Sequence, residues 1–196
     1  NEADADLFLS IHCNAFHTQA YGTESYVLGL HANKQNFEVA KLENSVIFLE
    51  DNYEEKYEGF DPNSPESLIG LTLMQEEYLD QSIQLAQLVE NNFINDLKRK
   101  SRGVKQAGFW VLHNTYMPSV LIETGFLTYK KEGAYLNSNK GQKDMATAMS
   151  DKWTLGVDYQ IHPSHYKGNY TEALMTGLAA GVISIIMTKF WDKKNK

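Results

Sequence analysis

The sequence predicts an α/β fold, with an incomplete, mixed or mainly parallel sheet flanked by helices. Short apolar runs rich in β-forming residues alternate with segments of helical periodicity, which is typical of α/β domains. Two of these runs, residues 7–11 and 119–122, end in titratable side chains, His12 and Glu123. Open α/β sheets bind ligands beyond the carboxyl ends of their strands. The two side chains are therefore candidates for an active site.

The composition narrows the class of protein. With 196 residues, 42% of them hydrophobic, the chain is long enough for one domain with a buried core. Its formal net charge of −7 argues against a nucleic-acid partner, which would require a concentrated basic surface. Its one cysteine, Cys13, excludes an internal disulfide. The first residue is Asn rather than Met, so we expect a piece of a longer chain, from which a signal peptide could be missing.

Four strands are predicted from apolar, β-rich runs. The first covers residues 6–13, and its alternation places Ser10 and His12 on one side and Cys13 on the other. Cys13 is therefore expected to be a small core residue rather than a metal ligand beside His12. The other predicted strands are residues 24–28, 108–113 and 119–123.

Helical spacing of apolar residues predicts three helical regions. Residues 34–56 are helical in part, and the last helix begins near Ser138. A long helix begins with Ser64 as N-cap and Pro65 at its first position, and it ends in the basic cluster at 98–102. Its apolar stripe consists of Leu79, Ile83, Ala86, Val89, Phe93 and Leu97.

A change in charge balance and apolar character near residue 150 predicts two units, residues 1–150 and residues 151–196. In the second unit lysines outnumber acidic residues, and the run 173–187 is apolar on all sides. This run contains a Gly-x-x-x-Gly pattern and is followed by lysines, as in a membrane span, but it is shorter than the roughly 20 residues that a spanning helix needs. We expect either membrane contact through residues 173–191 or a buried apolar helix.

His12 and Glu123 each have a structural as well as a functional interpretation. A lone histidine on a strand is commonly a core residue hydrogen-bonded to the backbone. Glu123 follows four apolar or small residues, so its carboxylate is expected to be buried, and a buried carboxylate must be paired, hydrogen-bonded or functional. A histidine with a glutamate is also the minimum set for metal-assisted hydrolysis. These residues alone leave both interpretations open.

Four motifs occur in a characteristic order: SIHCNA at 10–15, GTESY at 22–26, RGVK at 102–105 and VLHNTYMPSVLIETGFL at 111–127. Over roughly residues 1–150 this series resembles the zinc-dependent N-acetylmuramoyl-L-alanine amidases, a peptidoglycan-cleaving family with an α/β fold. The resemblance implies a hydrolase of cell-wall catabolism that uses Zn²⁺ and acts in the periplasm or outside the cell. It would cleave the amide between N-acetylmuramic acid and L-alanine.

The resemblance also implies roles for individual residues. In that family two histidines and a glutamate hold zinc, and a second glutamate acts on water. His12 matches the later histidine ligand, and Glu123 matches the catalytic glutamate. The other two ligands precede the motif that opens this chain, which implies an N-terminally truncated domain whose own activity is open. Glu24 is a candidate substitute ligand or a residue of the strand edge. The alternative to an active enzyme is a catalytically dead peptidoglycan-binding or regulatory module.

Residues 31–77 resemble an insertion found in family members that act in cell division. There a helix covers the zinc until an activator protein displaces it. The segment 40–45 and the acidic stretch to Glu58 match this insertion, so the resemblance implies autoinhibition and an activator partner. A solvated acidic loop is the alternative interpretation. The glutamates predicted to occupy the site are Glu50, Glu54, Glu55 or Glu58.

Overall fold

The computed structural model describes residues 5–16, 19–29, 34–49, 51–57, 78–113, 115–150 and 182–188. In chain order its strands and helices are β1 (Ala5–Asn14), β2 (Thr23–Leu28), α1 (Lys34–Asn44), α2 (Tyr53–Lys56), α3 (Leu79–Asn95), β3 (Ser101–Ala107), β4 (Ser119–Phe126), α4 (Lys130–Leu136), α5 (Asn139–Ser150) and β5 (Val182–Thr188). Short 3₁₀ turns cover Ser45–Leu49 and Trp110–Leu112.

The strands form a mixed sheet in the order β3-β2-β4-β1-β5. β1 is parallel to β4 and β2 is parallel to β3, whereas the β2–β4 and β1–β5 pairs are antiparallel. All eight residues of β4 are buried, as expected of an apolar strand in the middle of a covered sheet. The predicted α/β class, with a mixed sheet and flanking helices, is confirmed.

Helices α3 and α5 cover one face of the sheet. Val89 and Phe93 of α3 are fully buried and share a core with Ile11, Ile122 and Met145. The predicted apolar stripe of α3 is confirmed, because each of its residues is buried in this core or packs against it. The predicted start of this helix at Ser64 lies outside the described residues.

A carboxylate lies inside this covered face. Glu90 of α3 is almost fully buried and accepts hydrogen bonds from Thr23 Oγ1 at 2.8 Å and Ser25 Oγ at 2.7 Å. Burial raises the pKa of Glu90, although the hydroxyl groups oppose the shift. These bonds attach α3 to β2 on the side of the sheet opposite His12.

Helix α1 and the segment of the second 3₁₀ turn, Trp110–Leu112, cover the other face. Here Tyr26 and Leu121 pack with Ala40 of α1 and with Phe109 and Leu112. Even-numbered residues of β1 and β2 and odd-numbered residues of β4 point to this side, since side chains alternate along a strand. The side chains of His12 and Glu123 therefore lie on this face of the sheet.

The prediction of a strand at residues 108–113 is wrong. The strand is β3, which begins at Ser101 within the predicted basic end of the long helix, and α3 already ends at Asn95. Six of the seven residues of β3 are only partly buried, so this edge strand lacks an apolar signal. In the segment 108–113, Phe109 and Leu112 are buried three residues apart, which suits a 3₁₀ turn.

The predicted apolar helix of the tail is wrong for residues 182–188. These residues form β5, whose Cα partners on β1 run from His12 opposite Val182 to Ala5 opposite Thr188. Valine and isoleucine dominate this segment, and β-branched residues favour a strand. The remainder of 173–191 lies outside the described residues, and the division at residue 150 stays a prediction. Within the described ranges, every helix is too short or too polar to cross a bilayer.

Candidate active site

Three titratable side chains lie in one row across neighbouring strands. In the Cα register, Glu123 of β4 lies opposite His12 of β1 on one side and opposite Glu24 of β2 on the other. Register partners present their side chains to the same face of a sheet. Glu24 and Glu123 are fully buried and His12 is 8% exposed. The tertiary structure therefore brings the three residues proposed from the sequence together.

A fourth residue, Glu43, joins this row from helix α1. Its Oε2 lies 2.9 Å from His12 Nδ1. One potential ligand atom from each of His12, Glu43 and Glu123 can be chosen so that all three lie within 4.8 Å of one another. Imidazole nitrogen and carboxylate oxygen are donors that zinc takes in proteins. Glu43 is thus a candidate ligand that the sequence interpretation did not name.

Each ring nitrogen of His12 lies close to a polar atom. Its Nε2 lies 2.8 Å from Ser10 Oγ, while Nδ1 faces Glu43. A polar partner on one ring nitrogen of a histidine orients the ring and presents the other nitrogen to a ligand. Cys13 packs on the opposite face, where Thr124 Oγ1 lies 3.1 Å from its Sγ and burial raises the pKa of its thiol. The predicted separation of His12 from Cys13 is confirmed.

Glu123 combines complete burial with a lack of partners. Among the described residues, neither of its carboxylate oxygens has a hydrogen-bond partner. Burial raises the pKa of Glu123 well above its usual range, and Glu43 and Glu24 reinforce the shift while Lys105 opposes it. A buried carboxylate in this state requires a proton or a cation. The donor set and the unpartnered oxygens fit a zinc ion held beside Glu123.

Glu24 lies beside this group rather than within it. Its Oε2 accepts hydrogen bonds from Arg102 Nε at 2.8 Å and from Lys105 Nζ. Its Oε1 accepts from Asn14 Nδ2 at 2.9 Å and from the Tyr26 hydroxyl at 3.1 Å. Burial alone would raise the pKa of Glu24, but the hydrogen bonds from Lys105 and Arg102 outweigh burial and lower it. The Glu24 carboxylate is therefore held ionised by four side-chain hydrogen bonds.

This network predicts a specific dependence of stability on pH. Because the pKa of Glu24 is lower in the folded than in the unfolded chain, its contribution is present above about pH 4.3, the ordinary glutamate pKa, and is lost as the pH falls through the folded value. We expect Glu24→Gln to lower the free energy of unfolding at pH 7 by about 1–3 kcal/mol. We also expect the free energy of unfolding of Glu24→Gln to fall less steeply than that of the wild type as the pH is lowered. Urea unfolding between pH 3 and 7 checks both, with the exposed Glu55→Gln as control. Parallel acid slopes for wild type and Glu24→Gln would contradict it.

The glutamate that lies beside His12 is Glu43, which is not one of the four glutamates predicted to occupy the site. Glu50 and Glu58 lie outside the described residues, as does the side chain of Glu54, and Glu55 is exposed on α2. None of the four is therefore placed at His12 in the part of the chain that the structure describes.

Asn44 attaches the end of α1 to the segment that follows β3. Asn44 donates from Nδ2 to the Gly108 carbonyl at 2.8 Å and accepts from the Trp110 amide at 2.9 Å. Asn36, Ala40 and Asn44 are buried four residues apart, so Glu43 lies at the edge of the docked face of α1. This periodicity is the local signal that could have identified Glu43, whereas its distance from His12 could not be read from the sequence.

The chain is similar in sequence to known proteins. Residues 1–152 match the family model described as N-acetylmuramoyl-L-alanine amidase. The amidase AmiA of Escherichia coli (strain K12) is 27% identical over 150 residues, which cover 75% of this chain and 50% of AmiA. YqiI of Bacillus subtilis (strain 168), an uncharacterised protein, is 28% identical over 145 residues, which cover 74% of this chain and 48% of YqiI.

The similarity extends over only part of each known protein. The chain spans about half the length of these two curated relatives. A solved structure of an N-acetylmuramoyl-L-alanine amidase from Clostridium difficile 630 has a TM-score of 0.49 and 24% identity, covering 76% of this chain and 56% of that one. Because the family model accounts for residues 1–152, the chain belongs to the N-acetylmuramoyl-L-alanine amidase family.

Proposed function

We propose that this chain hydrolyses the amide bond between N-acetylmuramic acid and L-alanine in peptidoglycan. The observation that carries the proposal is Glu123, a fully buried carboxylate without a hydrogen-bond partner among the described residues, opposite His12 in the sheet. Family membership supports the reaction class. His12 is the residue that would hold a zinc ion, and Glu123 is the residue that would act on water.

In this proposal Glu123 is the general base. Bound zinc supplies Lewis acidity, which acidifies water and polarises an amide carbonyl. Glu123 accepts a proton from the water that attacks the carbonyl carbon, and it returns this proton to the leaving nitrogen as the C–N bond breaks. The products are the lactyl carboxylic acid and the free amine of alanine. Burial raises the pKa of Glu123 well above its usual range, which favours uptake of a proton by this carboxylate.

Glu43 supports a regulated form of this enzyme. Its carboxylate faces His12 from a helix in the segment predicted to act as an insertion, so it occupies space that water and substrate need. We propose that α1 autoinhibits the site and that an activator protein acts on residues 31–77. The enzyme would work on peptidoglycan in the periplasm or outside the cell.

Replacing Glu43 with Ala tests the autoinhibition. With zinc in excess, we expect Glu43→Ala to raise peptidoglycan hydrolysis severalfold, since the carboxylate no longer competes for the site. The measurement is the release of peptides from purified cell walls. Glu38→Ala is the control, because Glu38 is exposed on the same helix. Lower hydrolysis in Glu43→Ala would show that Glu43 is a required ligand rather than an inhibitor.

The same contact also favours a second candidate function. A site closed by Glu43 is what a catalytically dead peptidoglycan-binding or regulatory module would retain. Such a module binds peptidoglycan without zinc and releases no peptides, whereas the enzyme requires zinc for release. The two functions are thus separated by comparing wall binding and peptide release with and without a chelator.

Zinc stoichiometry is the direct test of the proposed site. We expect one zinc per wild-type chain and loss of this zinc in His12→Ala. Cys13→Ser is the matched control, since Cys13 is the adjacent residue and packs on the opposite face. Equal zinc content in wild type and His12→Ala would refute the assignment of His12 as a ligand.

A further inference from the structure

A pair of basic residues borders the candidate site on the edge strand β3. Arg102 and Lys105 both bind Glu24 Oε2, so two cations share one carboxylate oxygen. Glu24 is the register neighbour of Glu123, and Lys105 is close enough to oppose the raised pKa of Glu123. The basic pair therefore lies on the same face as His12 and Glu123, with one positive charge more than Glu24 neutralises.

A bulge in β3 brings the two basic side chains together. Residues three apart in a regular strand point to opposite faces. The pairing of β2 with β3 shifts register between Thr23 and Ser25, and Gly103 there has a φ of 86°. A β-bulge with a left-handed glycine re-aims the neighbouring side chains, a device that often occurs beside active sites. The bulge thus directs Arg102 and Lys105 to one face.

Arg102 keeps part of its hydrogen-bonding capacity for a ligand. Its Nε binds Glu24, its guanidinium carbon lies 5.2 Å from the ring centroid of Phe126, and its side chain is 23% exposed. Within the described ranges its two Nη atoms form no hydrogen bond or ion pair. A guanidinium oriented in this way offers two donors in a plane that matches a carboxylate.

We propose that Arg102, supported by Lys105, binds a carboxylate on the peptide side of the substrate. This inference rests on the proposed function and names a specificity determinant for it. The glycan side of the scissile amide consists of sugars and an N-acetyl group, whereas carboxylates are available on the peptide. Arg102 lies against Phe126, so the distance of Phe126 from Glu123 indicates how far Arg102 is from the reacting bond. Phe126 lies three residues beyond Glu123, or roughly 10 Å along β4. A carboxylate on the residue after alanine lies about two residues, or roughly 7 Å, from the scissile bond.

The test compares two ligands that differ only in their C-terminal group, a carboxylate or a carboxamide. N-lactoyl-L-alanyl-glycine carries a carboxylate on the residue after alanine, and its C-terminal carboxamide does not. We expect the wild type and Glu43→Ala, in which the site is less obstructed, to bind the carboxylate form about tenfold more tightly in NMR titrations, which corresponds to about 1.4 kcal/mol. Titration in a chelator keeps both ligands intact, so the result does not depend on hydrolysis.

Variants at Arg102 separate recognition from stabilisation of Glu24. Arg102→Gln should bind the two ligands equally, with its affinity for the carboxamide unchanged. Arg102→Lys keeps the charge beside Glu24 but lacks the planar pair of donors, so it should show a reduced preference in a folded chain. Lys100→Gln, an exposed cation just before β3, should keep the full preference. Equal affinities, or no binding of either ligand, in both wild type and Glu43→Ala would overturn the proposal. An undiminished preference in folded Arg102→Lys and Arg102→Gln would do the same.

Discussion

Replacing Glu123 with Gln is expected to reduce peptidoglycan hydrolysis by about 10²–10⁴-fold, the usual contribution of a general base. The amide has nearly the same shape as the carboxylate but cannot accept the proton of the attacking water. The loss should appear in kcat rather than in KM, since the side chain acts on the water and not on the peptide. Initial rates of peptide release from purified cell walls, with zinc in excess, measure the effect.

The control for this variant is a second buried glutamate on the opposite face of the sheet. Glu90 is almost as deeply buried as Glu123 but binds Thr23 and Ser25, away from His12. Glu90→Gln should therefore retain hydrolysis within a few fold. If Glu123→Gln kept more than a tenth of the wild-type rate while remaining folded, Glu123 would not be the base.

The largest loss of stability is expected for Glu132→Ala. The Glu132 carboxylate accepts hydrogen bonds from the Gly22 amide at 3.1 Å and the Phe126 amide at 2.7 Å, and it pairs with Arg99. It thereby joins the start of β2, the end of β4 and the segment before β3. Removal leaves two backbone amides without an acceptor and the nearly buried Arg99 guanidinium without a counter-ion, with only the Thr124 carbonyl still accepting from it. Breaking such a buried pair costs about 3–5 kcal/mol.

Urea unfolding at pH 7 measures this loss. Glu55→Ala removes an exposed carboxylate from α2 and should change the free energy of unfolding by less than about 0.5 kcal/mol. A loss below about 1 kcal/mol for Glu132→Ala would mean that water replaces the carboxylate and that the contact does not stabilise the strand ends.

The strands and helices that the sequence predicted correctly are those with strong local patterns. β1 and β4 are apolar runs in the middle of the sheet, and α3 carries an apolar stripe that matches its buried face. β3 was missed because an edge strand that is half exposed needs few apolar residues. Residues 182–188 were misassigned because a short apolar run suits a helix or a strand, and the choice depends on pairing with β1.

Some features of the candidate site could be predicted from local sequence, whereas others depend on contacts between distant segments. The motifs around His12 and Glu123, and the apolar runs before them, were enough to propose both residues as candidates and to identify the family. Three features followed only from the fold: the contact of Glu43 with His12, the engagement of Glu24 by Arg102 and Lys105, and the shared face of these two cations. Each depends on how α1 docks or how β2 pairs with β3. Sequence spacing sets the direction of a side chain within one element, but distances between elements arise only when the chain packs.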